Sequence, residues 1–534
     1  MVATIQILVL LLAVIAAISV AANRLKVPPS ILLVSVGVVL ALIPGLPRVD
    51  LAPEFVLLVL LPPIVYSAAV SMSWREFRFN LRPIALLAFG CVVFTTVAVA
   101  VAARFVLSVP WPVGFLLGAI VSPPDAVAPL AIARRLKLPK RILLVLEGEG
   151  LANDATALIL YRFAVAAVST GTFSLGGATL AFSAIVAGEI IWGIGVGWLM
   201  LRLRRWVRDT RIEITLSVLT PFLAFWPPQQ LGGSGVLATV TVGLYMSWNG
   251  FRLISAATRL QGIFFWDFLI YLIEGMLFLI TGLQARAVVE NIGSRSISEL
   301  AASALLITAV LIIARFVWMF PTIYLPRWLV PAIRRADPSP PWQWAFALSF
   351  TGVRGVVSLV AALAIPLTTL SGEPFPQRDL ILFLTFCVIL VTLVGQGAVM
   401  PAVMRALGLA NASRHERQAD RIAEQEARRQ AAGTAIELFN RIAADRALPK
   451  PFVDTFRAAH LFRLLPNETL GGDAEPQGKL AELRDEIDLQ LIAAERETIN
   501  DLYCDNKLSD EARRQLEREL DLREANVANS HDEE

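Results

Sequence analysis

Residues 138–170 form an apolar segment long enough to cross a lipid bilayer, yet the middle of this segment carries ionisable side chains. Its sequence, LPKRILLVLEGEGLANDATALILYRFAVAAVST, contains Glu147, Glu149, Asn153 and Asp154. At about 1.5 Å per residue, Asp154 lies about 20 Å from Arg141 and near the midplane of the bilayer. A charge at that depth costs about 3 kcal/mol even on lenient scales, so Asp154 is a candidate functional residue.

The helical spacing of these residues indicates where a small ligand fits. Glu149 and Asn153 share one helix face, and Gly150 and Asp154 share a neighbouring face. Because Gly150 has no side chain, it leaves space one turn away from the Asp154 carboxylate for a small cation or a water molecule. The alternative is that these acids only neutralise basic residues on other helices.

Composition assigns the whole chain to the polytopic membrane proteins. Of its 534 residues, 56% are hydrophobic and 17% are charged, which is less charge than a soluble protein carries. The net charge of +3 gives no indication of a nucleic-acid partner. The three cysteines are far apart and the three histidines all follow residue 410, so we expect no disulfide, metal site or cofactor. Membrane lipid is the expected surrounding.

Hydropathy and loop charge predict the membrane topology. Thirteen apolar segments are predicted to span the bilayer: 3–22, 28–44, 54–72, 81–109, 111–133, 139–169, 176–203, 212–231, 233–250, 259–284, 297–326, 342–370 and 378–407. Arg and Lys concentrate in alternate loops, which places the N-terminus outside and the C-terminus in the cytoplasm. Residues 1–410 therefore form a predicted transmembrane domain.

Composition changes abruptly after residue 410. Residues 411–534 are rich in Ala, Arg, Glu and Leu and predict a helical cytoplasmic tail. Within it, residues 480–491 and 511–522 have the pattern of amphipathic helices stabilised by opposite charges one turn apart.

Two predicted spans are interrupted at their centres. The fifth contains SPPDAVAP, where Pro123 and Pro124 remove backbone donors beside Asp125. The twelfth contains TGVRGVVS, where glycines flank Arg354. Paired broken helices indicate a transport site, because unwound backbone then faces the substrate. Inverted repeats of segments four to six and eleven to thirteen would bring both breaks beside segment six.

Each charge near these breaks has a structural alternative. Asp125 is either a site residue or a cap that satisfies the free N–H groups of a half-helix. Arg354 forms either a buried ion pair with Glu149 or a packing contact with carbonyl groups. Four other charges in apolar segments are weaker signals, and only Glu274 among them is chosen as a candidate; the four are Glu189, Asp267, Glu274 and Arg315.

The motifs EGEGLANDATALILYR, SPPDAVA and TGVRGVVSLVAALAIP resemble those of bacterial Na+/H+ antiporters of the monovalent cation:proton antiporter superfamily, in the branch that includes the sodium/hydrogen exchangers. The resemblance covers roughly residues 1–410. It implies an all-α polytopic fold of about 13 transmembrane helices, with inverted repeats and two broken crossing helices. It also implies a homodimer in which a core bundle moves against a dimer-forming scaffold.

The resemblance also implies roles for individual residues. Asp154 alternately binds a cation and a proton, and Asn153 supports it. Glu149 pairs with Arg354, and Asp125 corresponds to the Asp of the Asp-Pro motif of the broken fifth helix.

Two positions depart from the family pattern. Gly150 and Pro124 stand where the family commonly has Ser and Thr, so two hydroxyl groups are missing. Na+ prefers hard oxygen ligands, so water, freed carbonyls, Ser122 or Thr156 would complete its coordination beside Asp154 and Asn153.

The sequence therefore predicts a secondary antiporter and not an enzyme. We expect it to exchange a monovalent cation, Na+, for protons by alternating access across the bacterial cytoplasmic membrane, and to serve pH and sodium homeostasis. Asn beside the carrier Asp indicates electroneutral exchange by resemblance. The alternatives are a K+/H+ antiporter, a cation channel and, less favoured, an intramembrane aspartyl hydrolase based on Asp125 and Asp154.

Overall fold

The structure is a computed structural model that describes residues 2–44, 52–207, 209–250, 256–290 and 296–409, together with short stretches beyond residue 417. The described residues are mostly helical and contain no β-strand, although an isolated bridge joins Thr368 to Pro374. The chain divides into two compact units, Met1–Glu416 and Arg417–Glu534.

The described helices follow the predicted apolar segments. The first are α1 Val2–Leu25, α2 Pro29–Ala41, α3 Pro53–Ser71, α4 Trp74–Phe79, α5 Leu81–Phe105, α6 Trp111–Val121, α7 Val127–Arg135, α8 Lys140–Thr170 and α9 Leu175–Arg204. They are followed by α10 Thr210–Gln230, α11 Val236–Asn249, α12 Ala256–Leu283, α13 Ala285–Glu290, α14 Ile297–Leu329, α15 Pro331–Ala336, α16 Trp342–Phe350, α17 Val356–Leu363 and α18 Arg378–Ala406. Seven described helical stretches are long and apolar enough to cross a membrane. The described residues thus form a multi-pass helical membrane fold.

Both predicted helix breaks are confirmed. Residues 122–126 separate α6 from α7, and residues 351–355 separate α16 from α17. The two unwound stretches touch, because the Asp125 N–H donates to the Val353 carbonyl at 2.7 Å. Backbone groups that the breaks release from helical bonding are therefore partly satisfied by each other.

The helix that carries Asp154 lies among the broken helices. α8 packs against α3, α5, α6, α7 and α11. Close packing near it depends on glycine: a Cβ atom on Gly118 of α6 would lie 2.5 Å from the Thr96 carbonyl of α5. A Cβ atom on Gly37 of α2 would likewise lie 2.5 Å from the Leu279 carbonyl of α12. Small residues at such contacts let helix backbones approach closely in membranes.

Asp337, in the turn after α15, holds three helices together. Its carboxylate lies 2.9 Å from Arg82 of α5, 2.8 Å from Arg141 of α8 and 2.6 Å from Arg327 of α14. Because three guanidinium groups share one carboxylate, the beginnings of α5 and α8 and the end of α14 are fixed to one another.

The second unit contributes little to the described structure. Most of the two tail helices predicted at 480–491 and 511–522 lies outside the described residues. The predicted domain boundary after residue 410 stays a prediction.

Candidate functional site

A cavity of about 490 Å³ lies beside the two helix breaks and is lined by residues of α3, α7, α8, α12 and α17. Five carboxylates line it, those of Asp125, Glu147, Asp154, Asp267 and Glu274. Near the turn between α7 and α8, Glu147 forms a partly exposed ion pair with Arg134 at 2.5 Å. The cavity therefore connects this side of the molecule with Asp154 in the middle of α8.

The Asp154 carboxylate lines the cavity. Among the residues that the structure describes, it has no hydrogen bond and no ion pair. Gly150 lines the cavity one turn before it. An unpaired carboxylate at this depth is costly unless a proton or a cation neutralises it. The described acids do not form a group of three with metal-binding geometry, so a cation here would also need water or backbone oxygens as ligands.

Asn153 joins α8 to the first break. Its side-chain Nδ2 donates to the Pro124 carbonyl at 2.5 Å, and the whole side chain is buried. Proline at 124 helps to end α6, so the carbonyls of the break are free to accept this bond. The Asn153 Oδ1 atom has no partner among the described residues. A buried amide oxygen without a donor is a suitable acceptor for a water molecule or a ligand for a cation.

Asp125 combines the two roles that the sequence left open. Its Oδ1 accepts the Val127 N–H at 2.9 Å at the start of α7, so it caps this half-helix, and the same residue lines the cavity. A Cβ atom at Gly355 would collide with the Asp125 carboxylate, so glycine is required there for the two breaks to meet.

Glu149 is paired with Arg315, and the prediction that it pairs with Arg354 is wrong. Two guanidinium nitrogens of Arg315, on α14, donate to the Glu149 carboxylate at 2.5 and 2.8 Å, and both side chains are buried. The physical reason lies at Gly352. Because this residue has no side chain, Arg315 can pass beside it and reach Glu149; a Cβ atom at position 352 would collide with the Arg315 side chain. Arg315 also donates to the Leu348 carbonyl at 3.0 and 3.1 Å, which fixes its orientation.

Arg354 follows the alternative of a cation bound to carbonyl groups. Its Nη1 donates to the Ser122 carbonyl at 2.7 Å, beyond the C-terminal end of α6. Its backbone N–H donates to the Thr392 hydroxyl at 3.0 Å. A positive charge is favourable at the negative end of a helix, just as the Asp125 carboxylate is favourable at the beginning of α7.

The two hydroxyl groups proposed as cation ligands do not line the cavity. Ser122 is buried, and its hydroxyl donates to the Gly118 carbonyl at 2.5 Å. Thr156 is also buried, and its hydroxyl donates to the Ala152 carbonyl at 3.4 Å. The structure thus brings Asp154 and Asp125 together around the cavity, but not these hydroxyls.

The other charges of the apolar segments have different roles. Glu274 and Asp267 of α12 line the cavity. Glu189 instead is buried at the start of α11, where it accepts backbone N–H groups of Ser234, Gly235 and Leu237 at 2.5 to 3.0 Å. It is therefore a cap for the α11 N-terminus.

The missing side chain at position 150 has a packing reason. A Cβ atom there would lie 2.6 Å from the Cβ of Ala126. We expect Gly150→Ala to lower stability by about 1 to 3 kcal/mol through overpacking. Ala126→Gly in the same chain should recover most of this loss, as measured by the thermal midpoint in detergent. Gly188→Ala on α9 is the control, since a Cβ atom at Gly188 meets nothing within 4 Å. A Gly150→Ala protein as stable as the control would contradict this explanation.

The fold and the site together define a class of protein. A multi-pass helical bundle with two broken helices in contact, and an unpaired carboxylate in a cavity beside them, is a membrane transporter for small ions.

Comparison with known proteins gives the family. The protein-family model described as "Sodium/hydrogen exchanger, transmembrane" matches residues 9–406, and the chain belongs to this family. An uncharacterized Na+/H+ exchanger of Mycobacterium tuberculosis is 34% identical, over 99% of this chain and 97% of its own length. A sodium, potassium, lithium and rubidium/H+ antiporter of Bacillus subtilis is 34% identical, over 74% of this chain and 60% of its own.

A solved structure has the same fold. The sodium proton antiporter MjNhaP1 from Methanocaldococcus jannaschii matches with a TM-score of 0.61 and 20% sequence identity, over 76% of this chain and 98% of that one. At this identity the likeness concerns the fold, which agrees with the all-helical architecture.

Proposed function

We propose that the protein is a secondary antiporter that exchanges Na+ for protons by alternating access. The observation that carries the proposal is the Asp154 carboxylate, which lines a 490 Å³ cavity without a partner among the described residues. Membership of the sodium/hydrogen exchanger family supports the same reaction.

In this mechanism, cation and proton compete for one carboxylate. Either ion neutralises Asp154. The conformational change that carries the site from one side to the other then costs less free energy than it would with a bare carboxylate. Residues 123–126 of the first break also line the cavity, and Asn153, next to Asp154 in the chain, has an Oδ1 atom without a partner among the described residues. The backbone oxygens of the break and the Asn153 Oδ1 atom are therefore the proposed additional ligands. Glu149 does not take part in this competition, because Arg315 already neutralises it.

The finer architecture is also a proposal. We infer thirteen spans arranged as inverted repeats, with the N-terminus outside, the tail in the cytoplasm, and the protein a homodimer in the bacterial cytoplasmic membrane. The alternation of basic loops supports the orientation. In this orientation the turn between α7 and α8 is cytoplasmic, so the cavity is open to the inside.

A K+/H+ antiporter is the second candidate. The Bacillus subtilis relative is named for sodium, potassium, lithium and rubidium, and this chain lacks hydroxyl side chains at positions 150 and 124 that would tighten a site around Na+.

The test is proton movement in inside-out vesicles, followed with a pH-sensitive dye on addition of Na+, K+ or Li+. We expect Na+ to release the proton gradient at lower concentration than K+. Exchange with K+ alone would select the second candidate. Unitary current steps in a planar bilayer would instead indicate a channel.

We expect the exchange to be electroneutral. If Asp154 is the one carboxylate that alternately binds Na+ and a proton, the site has the same net charge when it carries Na+ in one direction as when it carries a proton in the other. Asp267 and Glu274 also line the cavity, but they lie on α12, which we place outside the moving group of helices that contains the two breaks, so the proposal leaves them out of this count.

The measurement is the Na+-driven exchange rate in proteoliposomes under an imposed potassium diffusion potential. A transported net charge would be driven by about 2.3 kcal/mol per 100 mV. We expect less than about a twofold change in rate between zero and about −100 mV. A steep dependence on potential would show that a second carboxylate, Asp125 or Glu274, exchanges protons as well.

A further inference from the structure

A stripe of α8 closes the molecule on the side of Asp154 that faces away from the cavity. Ala155 and Leu158 are buried, lie beyond Asp154 and share one face of α8. They belong to one apolar cluster with Phe225 of α10 and with the first turn of α11. This cluster is an apolar seal between α8 and these two helices.

Arg162 continues the same stripe, one turn beyond Leu158. It lies eight residues after Asp154, or about 12 Å further along α8. Its Nη1 donates to the Gln229 carbonyl in the last turn of α10, at 3.4 Å. A guanidinium is favourable at this end of a helix, where carbonyl groups lack helical partners. The apolar seal therefore ends in a polar contact between α8 and α10.

The partner surface for Arg162 is held in place by Glu189. The Glu189 carboxylate is buried and accepts N–H groups from Ser234 and Gly235 at 2.5 and 3.0 Å, in the turn between α10 and α11. The Gly233 N–H of this turn donates to the Pro228 carbonyl at 2.8 Å, which fixes the turn to the end of α10. Arg162 thus binds to a part of the molecule that is fixed by its own hydrogen bonds.

We propose that Arg162 is a positioning residue that holds the side opposite the cavity closed, by docking α8 on the end of α10 next to the apolar seal. The proposal rests on the proposed alternating access, since this contact has to break whenever Asp154 is exposed to that side. The guanidinium also places a positive charge on that route, which opposes cation leakage while the contact is closed.

Accessibility of a single cysteine tests the proposal. Val357 lines the cavity and packs against the same apolar cluster, so Val357→Cys reports on both routes to the site. It is introduced after replacement of Cys91, Cys387 and Cys504. The probe is 2-sulfonatoethyl methanethiosulfonate, applied to right-side-out and to inside-out vesicles. The probe is negatively charged, so Arg162 attracts it. Removal of Arg162 would therefore slow the reaction by electrostatics alone, and a faster reaction has to come from greater access.

We expect Arg162→Gln to raise the labelling rate from the side of the α10–α11 turn about tenfold, because a hydrogen bond from a charged group is lost from the closed state alone. Labelling from the cavity side should fall. Arg162→Lys keeps the charge and should stay within about twofold of the parent. Arg286→Gln is the matched control, since the partner of Arg286 among the described residues is Glu290, in a partly exposed ion pair.

Equal labelling rates in Arg162→Gln and the parent would overturn the proposal. If Arg162→Gln fails to fold, as judged by size exclusion, Arg162→Met is measured in its place and is subject to the same criterion. Labelling does not require transport, so its outcome is separate from that of the proposed function. Absence of cation-driven proton movement by the unmodified protein would contradict the antiporter assignment itself.

Discussion

Asp154→Asn is expected to reduce cation-driven proton movement to the level of vesicles without the protein. The substitution keeps the size of the side chain and removes the carboxylate that lines the cavity beside the first helix break and has no partner among the described residues. Without a carboxylate, neither a proton nor Na+ has a negative charge to neutralise, so the exchange has no carrier.

The fold of this variant should be retained. Loss of an unpaired intramembrane charge removes a cost of burial, so the thermal midpoint in detergent should be equal to that of the parent or higher. Asp209→Asn is the control for the chemical change, because Asp209 caps the exposed start of α10 and Asn is an equally good cap. Substantial Na+-dependent exchange by Asp154→Asn would show that another carboxylate carries the ion.

Arg315→Met is expected to cause the largest loss of stability among single substitutions near the site. It leaves the Glu149 carboxylate buried without its two hydrogen bonds, at a cost of about 3 to 5 kcal/mol. Glu149→Gln alone should also be strongly destabilising, because Arg315 then keeps a buried charge. The double variant should lose less than the sum of the single losses, which thermal midpoints of all four proteins would show.

Two comparisons make this test specific. Arg354→Met leaves the Glu149–Arg315 pair intact and removes a single charged hydrogen bond, so its loss should be smaller, about 1.5 to 3 kcal/mol. Arg134→Gln breaks the pair with Glu147, which lies on α8 like Glu149. Because the Arg134 side chain is 65% exposed, the loss of stability should be below about 1 kcal/mol. Strictly additive losses for Arg315 and Glu149 would mean that the buried pair contributes no coupling.

Local chemistry explains which features the sequence could predict. Paired prolines and closely spaced glycines act on their own backbone, so the breaks at 122–126 and 351–355 were predictable without knowledge of the fold. The depth of Asp154 likewise follows from residue count along one helix.

Contacts between distant segments were not predictable in the same way. Two buried arginines, Arg315 and Arg354, were both available to Glu149, and the choice depends on how α14 passes the glycine at 352. The role of Glu189 depends on the turn between α10 and α11, more than forty residues away in the chain. A charge in an apolar segment indicates that a partner exists, but only the packing of helices identifies it.

The three arginines that share Asp337 also limit how α8 can move. Since Arg82, Arg141 and Arg327 end on one carboxylate, α8 cannot twist about its own axis without pulling α5 and α14 with it. Access to Asp154 then changes when α5, α8 and α14 tilt together about the end at which Asp337 joins them. Because α8 is roughly 45 Å long, a small change of angle at its Asp337 end gives a much larger sideways displacement at its opposite end.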